Sequence, residues 1–390
     1  MHVLFIPSWY PTVAAPGSGS FFVDQARALS MLGAEVGVCY PELRSLRALS
    51  LPSLVENHLQ WTCAEEREVH VVRWHGRNIP SARVSAKLFV AASCRAYQIY
   101  QKRFGRPDII HAQSALWGGV AAMQLSAEEG IPFLVTEHSS AYPRHEIRPW
   151  EWPSVERCFR ASTQAACVSP FLADELHTAL PEVSFTVIPN MVDATFFTLS
   201  PAPKGNSTPS FLTVAGLNQK KGIDVLLEAF ALYRQSGGRW NLEIGGDGPL
   251  RQQLMQQVTR RHLEESVRFP GQLTRGQVRE AMWRASAFVL PSRVETFGLV
   301  VAEALATGLP VIATRCGGPE SILTPDDGLL VESDDQLGLA NALATMARTA
   351  SSYTAEDLRE RCVKRFGSVG VGEQLLDVYA HIIRRQEGRT

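Results

Sequence analysis

Nothing in the sequence pairs its cysteines or calls for a structural metal. The seven, Cys39, Cys63, Cys94, Cys158, Cys167, Cys316 and Cys362, form no CxxC motif and have no histidines at zinc-binding spacing, which leaves reduced thiols in a cytoplasmic protein as the expectation. No stretch is long and apolar enough to span a bilayer. The opening run Met1-His2-Val3-Leu4-Phe5-Ile6-Pro7 lacks the basic flank and small-residue cleavage site of a signal peptide, so it reads as a first buried strand. The net charge is only -1. No global basic bias toward nucleic acid exists, and any charged partner is met locally.

What is present is a chain too long for one ordinary core: 390 residues, 45% of them hydrophobic, fit two domains. Short β-branched runs at 3–6, 34–39, 69–73, 108–111, 133–136, 165–168 and 185–188 alternate with helical segments, the mark of a parallel, doubly wound sheet. The polar, proline-rich stretch 200–209 reads as a linker. Beyond it the alternation resumes at 211–215, 241–244, 267–269, 287–290, 311–313 and 329–331. The expected organisation is α/β, with one Rossmann-like domain over 1–198 and a second over 199–368. A last helix over 369–390 carries one apolar face through Leu375, Tyr379 and Ile382. The carboxyl ends of two such sheets are expected to face a central cleft that takes the ligand.

The segment 291–308 (PSRVETFGLVVAEALATG) follows an apolar strand and stops at a glycine just before Pro310. A helix starting near Phe297 leaves its first amides unpaired and its positive dipole end open, and Gly298 allows close approach, so this is a seat for a diphosphate. Glu295 precedes that helix and Glu303 lies within it, on the order of 12 Å away at ~1.5 Å per residue. That is too far for a proton-sharing dyad, and beyond the roughly 5 to 9.5 Å of a hydrolytic carboxylate pair. The spacing suits a bracket around an extended ligand.

Two glutamates eight residues apart usually mark only a solvated helix face. Here they stand in a series: PSWYP at 7–11 with GSFF at 19–22, TEH at 136–138, IPNMVD at 188–193, VAGLNQKKG at 214–222, GGDGPL at 245–250 and CGGPE at 316–320. In order and spacing these resemble the large retaining glycosyltransferase family 4, whose E-x7-E element 295–303 matches, and the resemblance covers nearly the whole chain. It implies the GT-B fold, two Rossmann-like domains facing a central cleft. It also implies transfer of a sugar from a nucleotide-diphosphate donor, a UDP- or GDP-sugar, to a glycan or lipid-linked acceptor in cell-surface polysaccharide or lipopolysaccharide synthesis. No metal or other cofactor is expected, and the inner face of the cell membrane is the implied location. A nucleotide-sugar epimerase of the same fold and a non-catalytic nucleotide-sugar-binding protein are the alternatives.

Carried over residue by residue, the resemblance implies that Glu295 binds hydroxyls of the transferred sugar and that the amides of Phe297, Gly298, Leu299 and Val300 hold the phosphates. Glu303 would bind the ribose, and Lys221 would neutralise the leaving diphosphate. The family pairs that lysine with an arginine. This chain has Gly216 there, with Lys220, Arg293 and Arg315 as other cations of the same segments. His138, at a strand end, contacts donor or acceptor on this reading; a strand-end histidine otherwise serves as a structural hydrogen-bonder. His111 shares the setting. Gly17 and Gly19 either bring amides to the acceptor or belong to a surface loop, and Glu320 is expected at the cleft.

Between positions 69 and 107 there is no Asp or Glu, yet Arg73, Arg77, Arg83, Lys87, Arg95, Lys102, Arg103 and Arg106 occur among Trp74, Phe89, Tyr97, Tyr100 and Phe104. The segment 83–106 is either a peripheral contact with anionic lipid or a solvated helix whose aromatics face its own core.

Overall fold

A computed structural model describes residues 1–44, 60–66, 68–201 and 208–388. Most of the expected linker at 200–209 lies outside the described residues. The chain forms two compact units, Met1–Met191 with Ser368–Thr390, and Val192–Gly367.

The first unit holds eight strands: β1 (His2–Pro7), β2 (Glu35–Arg44), β3 (Gln60–Glu66), β4 (Val69–Arg77), β5 (Ile109–Gln113), β6 (Phe133–Glu137), β7 (Gln164–Cys167) and β8 (Phe185–Val187). Their order across the sheet is β3-β4-β2-β1-β5-β6-β7-β8. All neighbours run parallel except β3, which pairs antiparallel with β4 from Gln60 opposite His75 to Glu66 opposite Val69. The central strands are buried along their length, as in β1, because helices cover both faces of a parallel sheet. The edge strand β3 alternates polar and apolar residues and stays half exposed. Its sequence shows no apolar run, so the pattern above did not reveal it.

The second unit holds β9 (Ser210–Val214), β10 (Asn241–Gly245), β11 (Val267–Gly271), β12 (Ala287–Leu290), β13 (Val311–Arg315) and β14 (Gly328–Glu332), ordered β11-β10-β9-β12-β13-β14 and parallel throughout. Counted from its own first strand this is 3-2-1-4-5-6, the Rossmann order. The switch point, where successive connections leave in opposite directions, lies between β9 and β12 in this sheet and between β1 and β5 in the first. Each unit has its own apolar core.

The boundaries differ in detail from the sequence reading. Residues 192–198, assigned there to the first domain, are tied to the second: the Val192 amide donates to the Phe366 carbonyl (2.8 Å), Arg359 Nη2 to the Ala194 carbonyl (2.7 Å) and Trp283 Nε1 to the Thr198 carbonyl (2.6 Å). The final helix, Ser368–Glu387, lies in the first unit, where Val371, Leu375, Tyr379 and Ile382 join a core with Val3, Phe5 and Leu29. All seven cysteines are free thiols. Among the described residues no helix is long and apolar enough to cross a membrane, and no cluster of three or more His, Cys, Asp or Glu is placed to hold a metal ion.

Candidate functional site

In the second unit, the loops leaving β9 and β12 at the switch point bring Lys221 and Glu295 together, 74 residues apart in sequence. Lys221 Nζ donates to Glu295 Oε1 at 2.5 Å, and Ser292 Oγ donates to the same oxygen at 2.7 Å. Both charged side chains are largely buried, 19% and 13% exposed. Backbone geometry sets this meeting. Gly222, at φ 61°, sits so close to the β12 loop that a Cβ there would lie 1.9 Å from the Pro291 carbonyl oxygen. The Arg293 amide donates to the Lys220 carbonyl (2.7 Å), joining the two loops directly. On the other side, Glu295 pairs with the turn after β13: its amide donates to the Cys316 carbonyl (3.0 Å) and its carbonyl accepts from the Gly318 amide (2.7 Å).

The helix after Glu295 runs Leu299–Ala306 and begins two residues later than expected, because Gly298 takes a left-handed φ of 88° as its cap. No side chain caps that end, and no acidic residue lies in the first turn. The amides of Leu299 and Val300 therefore face outward without an internal acceptor, the arrangement that suits an anion. Phe297 is buried against Phe366 and anchors the turn. Glu303 is the fifth helical residue, ~6 Å along the axis from the first at ~1.5 Å per residue, and is half-buried. Glu320 closes its own turn, its carboxylate accepting from the Gly317 amide at 3.0 Å. Gly216 is exposed.

Of the cations near Gly216, Arg293 is fully engaged. Nη1 and Nη2 form a fork on Asp224 (3.0 and 2.8 Å), Nη1 also reaches the Gln219 carbonyl (2.5 Å), and Nε bonds Asp334 (2.7 Å). It braces the Lys221 loop and is unavailable as a second phosphate clamp. Arg315 pairs with Glu332 (3.2 Å) at the sheet edge.

In the first unit, His138 follows β6 and is buried, its Nε2 on Gln113 Oε1 at 2.8 Å. Gln113 Nε2 donates to Gln25 Oε1 (2.6 Å), which leaves Gln113 Oε1 as an acceptor and assigns the His138 proton to Nε2. Burial pushes the imidazole pKa down to about 3, opposed by a weaker hydrogen bond with Asn190. His138 is a neutral donor at working pH. His111 also follows the switch point but is a core tie: fully buried, Nδ1 on the Tyr379 hydroxyl (2.6 Å) and Nε2 on Thr136 Oγ1 (2.8 Å). With both nitrogens occupied it has nothing to offer an acceptor, so its expected place at the cleft is corrected. Gly17 is exposed in the loop after β1, and Gly19, at φ 71°, caps the helix Ser20–Met31.

The sequence reading missed Glu137. Its buried carboxylate accepts from the amides of Ala115, His138 and Ser139, each at 2.9 Å, and so fixes the loops after both β5 and β6. The only signal was a glutamate inside the TEH motif. Ser114, between these loops, holds φ 72°. A side chain at that angle is strained, and hydrogen bonds from its amide to the Thr136 carbonyl (2.8 Å) and onto its carbonyl from Gly119 (3.0 Å) and Ser8 Oγ (3.2 Å) keep it there. Beside these loops opens a cavity of about 520 Å3, lined by Trp9, Tyr40, Phe89, Glu137, Tyr142 and Glu151 among others.

Two family models match this sequence: Glycosyltransferase Family 4 over residues 16–196 and Glycosyl transferases group 1 over residues 200–365. Between them they take in most of both units, and the chain belongs to this family of GT-B glycosyltransferases. It is 28% identical over 384 residues to the putative teichuronic acid biosynthesis glycosyltransferase TuaC of Bacillus subtilis, covering 94% of this chain and 95% of that one. It is 25% identical to the glycogen synthase of Mycobacterium tuberculosis, over 97% and 94% of the two chains. Among solved structures the fold is similar to sucrose-phosphate synthase from Thermosynechococcus elongatus (TM-score 0.78, 20% identity, 98% and 99% covered). It is similar also to Anabaena HepE in complex with UDP (TM-score 0.73, 21% identity, 98% and 100% covered). The protein is a glycosyltransferase.

Proposed function

We propose that the chain transfers a hexose from a nucleoside-diphosphate sugar with retention of anomeric configuration and without a metal ion. The observation that carries this is the Lys221–Glu295 pair beside an uncapped helix start at the β9/β12 switch point. The diphosphate sits on the amides of Leu299 and Val300, where partial positive charge is greatest, with Lys221 supplying the full charge that a metal would otherwise bring. Glu295, released from Lys221 as the donor enters, accepts hydroxyls of the transferred sugar, and Glu303 takes the ribose. The bond from the anomeric carbon to the diphosphate oxygen breaks; the acceptor oxygen bonds to that carbon on the same face and passes its proton to a departing phosphate oxygen. The neutral Nε2–H of His138 donates to the sugar or acceptor after the Gln113 carbonyl gives way.

Uridine is the favoured base because HepE, of the same fold, is described with UDP and with UDP-glucose. A cell-surface glycan is the favoured acceptor because TuaC, similar along nearly its whole length, is named for teichuronic acid synthesis. The test is nucleoside-diphosphate release from UDP-, GDP- and ADP-hexoses in EDTA, with NMR of the product linkage. Release without added metal, an α-linked product from an α-donor, and a loss of at least ~100-fold in kcat for Glu295→Gln with an unchanged melting midpoint are expected, the loss being of the size that removal of one transition-state contact brings. A β-linked product overturns retention, and near wild-type turnover by Glu295→Gln overturns the site.

A further inference from the structure

The first turns of the helix Ala82–Phe104 form a ridge between two depressions that adjoin at Ala86 and Trp117. Positions 82, 85, 86 and 89 face the 520 Å3 cavity described above, where three carboxylates, Glu137, Glu146 and Glu151, outnumber the one guanidinium, Arg148. Positions 83, 87, 90 and 91, about 100° around the helix, face the second, of about 540 Å3. Its charge is the reverse: Arg83, Lys87 and Arg157 line it, with no acidic residue among the lining. None of the three cations makes a salt bridge among the described residues, and Arg157 Nε is turned onto the Pro153 carbonyl (3.1 Å).

The floor is aromatic and apolar. Trp117 and Trp150 stack with centroids 5.5 Å apart at 17°, and the Arg83 guanidinium stands 5.5 Å from the Trp150 centroid. Val90, Ala91 and Val120 continue the wall, and Val84 and Ile79 at the same end of the helix are each 45% exposed. Three like charges gathered without a counter-ion repel one another, and a multivalent anion relieves this while gaining charge-assisted hydrogen bonds. An acidic, polar pocket on one side and a basic, apolar one on the other fit a ligand with the same division.

We propose that the basic depression binds the diphosphate of a lipid-linked acceptor, whose uncharged sugar enters the acidic cavity and whose hydrocarbon chain runs over Trp117, Val90 and Val120. This rests on the transferase reading and names the acceptor class for it. It also moves the lipid contact of the segment 83–106 to its first two turns. Phe89, Tyr97 and Tyr100 are buried against the sheet, and Arg73 is buried beside Glu42 and the Pro11 carbonyl, so neither these aromatics nor that arginine face a membrane.

The test is calorimetric titration of the full chain with farnesyl diphosphate below its micelle concentration, with inorganic pyrophosphate and dodecyl maltoside as the separate halves of the ligand. Saturable binding of farnesyl diphosphate is expected, at least tenfold tighter than either half. Replacing Arg83, Lys87 and Arg157 together by Ala is expected to weaken it at least tenfold, and replacing Arg95, Lys102 and Arg103, farther along the same helix, to leave it unchanged. No saturable binding, equal loss in both triple variants, or pyrophosphate binding as tightly as farnesyl diphosphate would each overturn the proposal. UDP titrated into the same proteins separates the two readings: binding of UDP without farnesyl diphosphate sinks the acceptor proposal alone, whereas failure of UDP in the wild type strikes the transferase site.

Discussion

Lys221 and Glu295 neutralise each other in the unliganded protein, so the donor must replace one ion pair by two sets of contacts. Gly216 bears on this directly. It is exposed, its φ lies outside the left-handed region, and the nearest atom to a Cβ there would be Asn218 Nδ2 at 3.4 Å, an ordinary contact. With Arg293 committed to Asp224 and Asp334, Gly216→Arg should leave the melting midpoint unchanged and tighten UDP binding several-fold. Unchanged or weaker binding would mean that another group already fills the role. The buried histidines make a second prediction. His138, at about 3, and His111, well below 6.5, are both depressed by burial. The unfolded chain therefore binds protons that the native chain excludes, so stability is complete above about pH 6.5 and falls below it, on the order of 1.4 kcal/mol per pH unit for each histidine. Urea midpoints between pH 7 and 5 should fall accordingly, and His138→Phe should flatten the slope; a flat wild-type profile would contradict the burial argument. Lys221, Glu295 and Glu303 were legible because motif and function coincide in them. The bracing of Arg293 by Asp224, and the burial of His111 under Tyr379, were not, since each joins positions far apart in the chain.

The elements themselves were read more completely than their joints. Thirteen of the strands in the two sheets lie on the apolar runs seen in the sequence, because a strand covered on both faces needs unbroken β-branched residues. The exception, β3, satisfies its backbone from one neighbour and leaves Glu65 toward solvent, so it carries no such run. The donor helix was placed two residues early because the left-handed turn at Gly298 consumes residues that periodicity assigns to the helix. Gly222 is the joint most open to test. Gly222→Ala places a methyl against the Pro291 carbonyl at a φ of 61°, so it should separate the two loops and lower kcat by at least tenfold, even if folding survives; an active, stable variant would contradict the close approach. The final helix is held differently, by its apolar face and the Tyr379–His111 hydrogen bond. Tyr379→Phe leaves a buried ring nitrogen unpaired and should cost about 1–3 kcal/mol, read as a lower melting midpoint with UDP binding intact.

At the scale of the whole molecule, one connection rule has been used twice. Each unit winds its sheet outward from a first strand and then back, and in each the loops at that reversal carry the polar groups: Ser114 and Glu137 near it in the first, Lys221 and Glu295 in the second. The doubling was visible in the sequence as a pattern that stops near residue 200 and restarts. The exact seam was not, because 192–198 is tied to the second unit by side chains of Arg359 and Trp283 that no local signal announces. Donor and acceptor chemistry are thus assigned to different units, and the donor half can be tested without knowing the acceptor. The most direct measurement is a calorimetric titration of UDP into the wild-type chain and into Lys221→Ala. Saturable binding by the wild type, weakened at least tenfold in a variant of unchanged melting midpoint, is the predicted result. Absence of binding by UDP, GDP and ADP alike, or an affinity indifferent to Lys221, would contradict it.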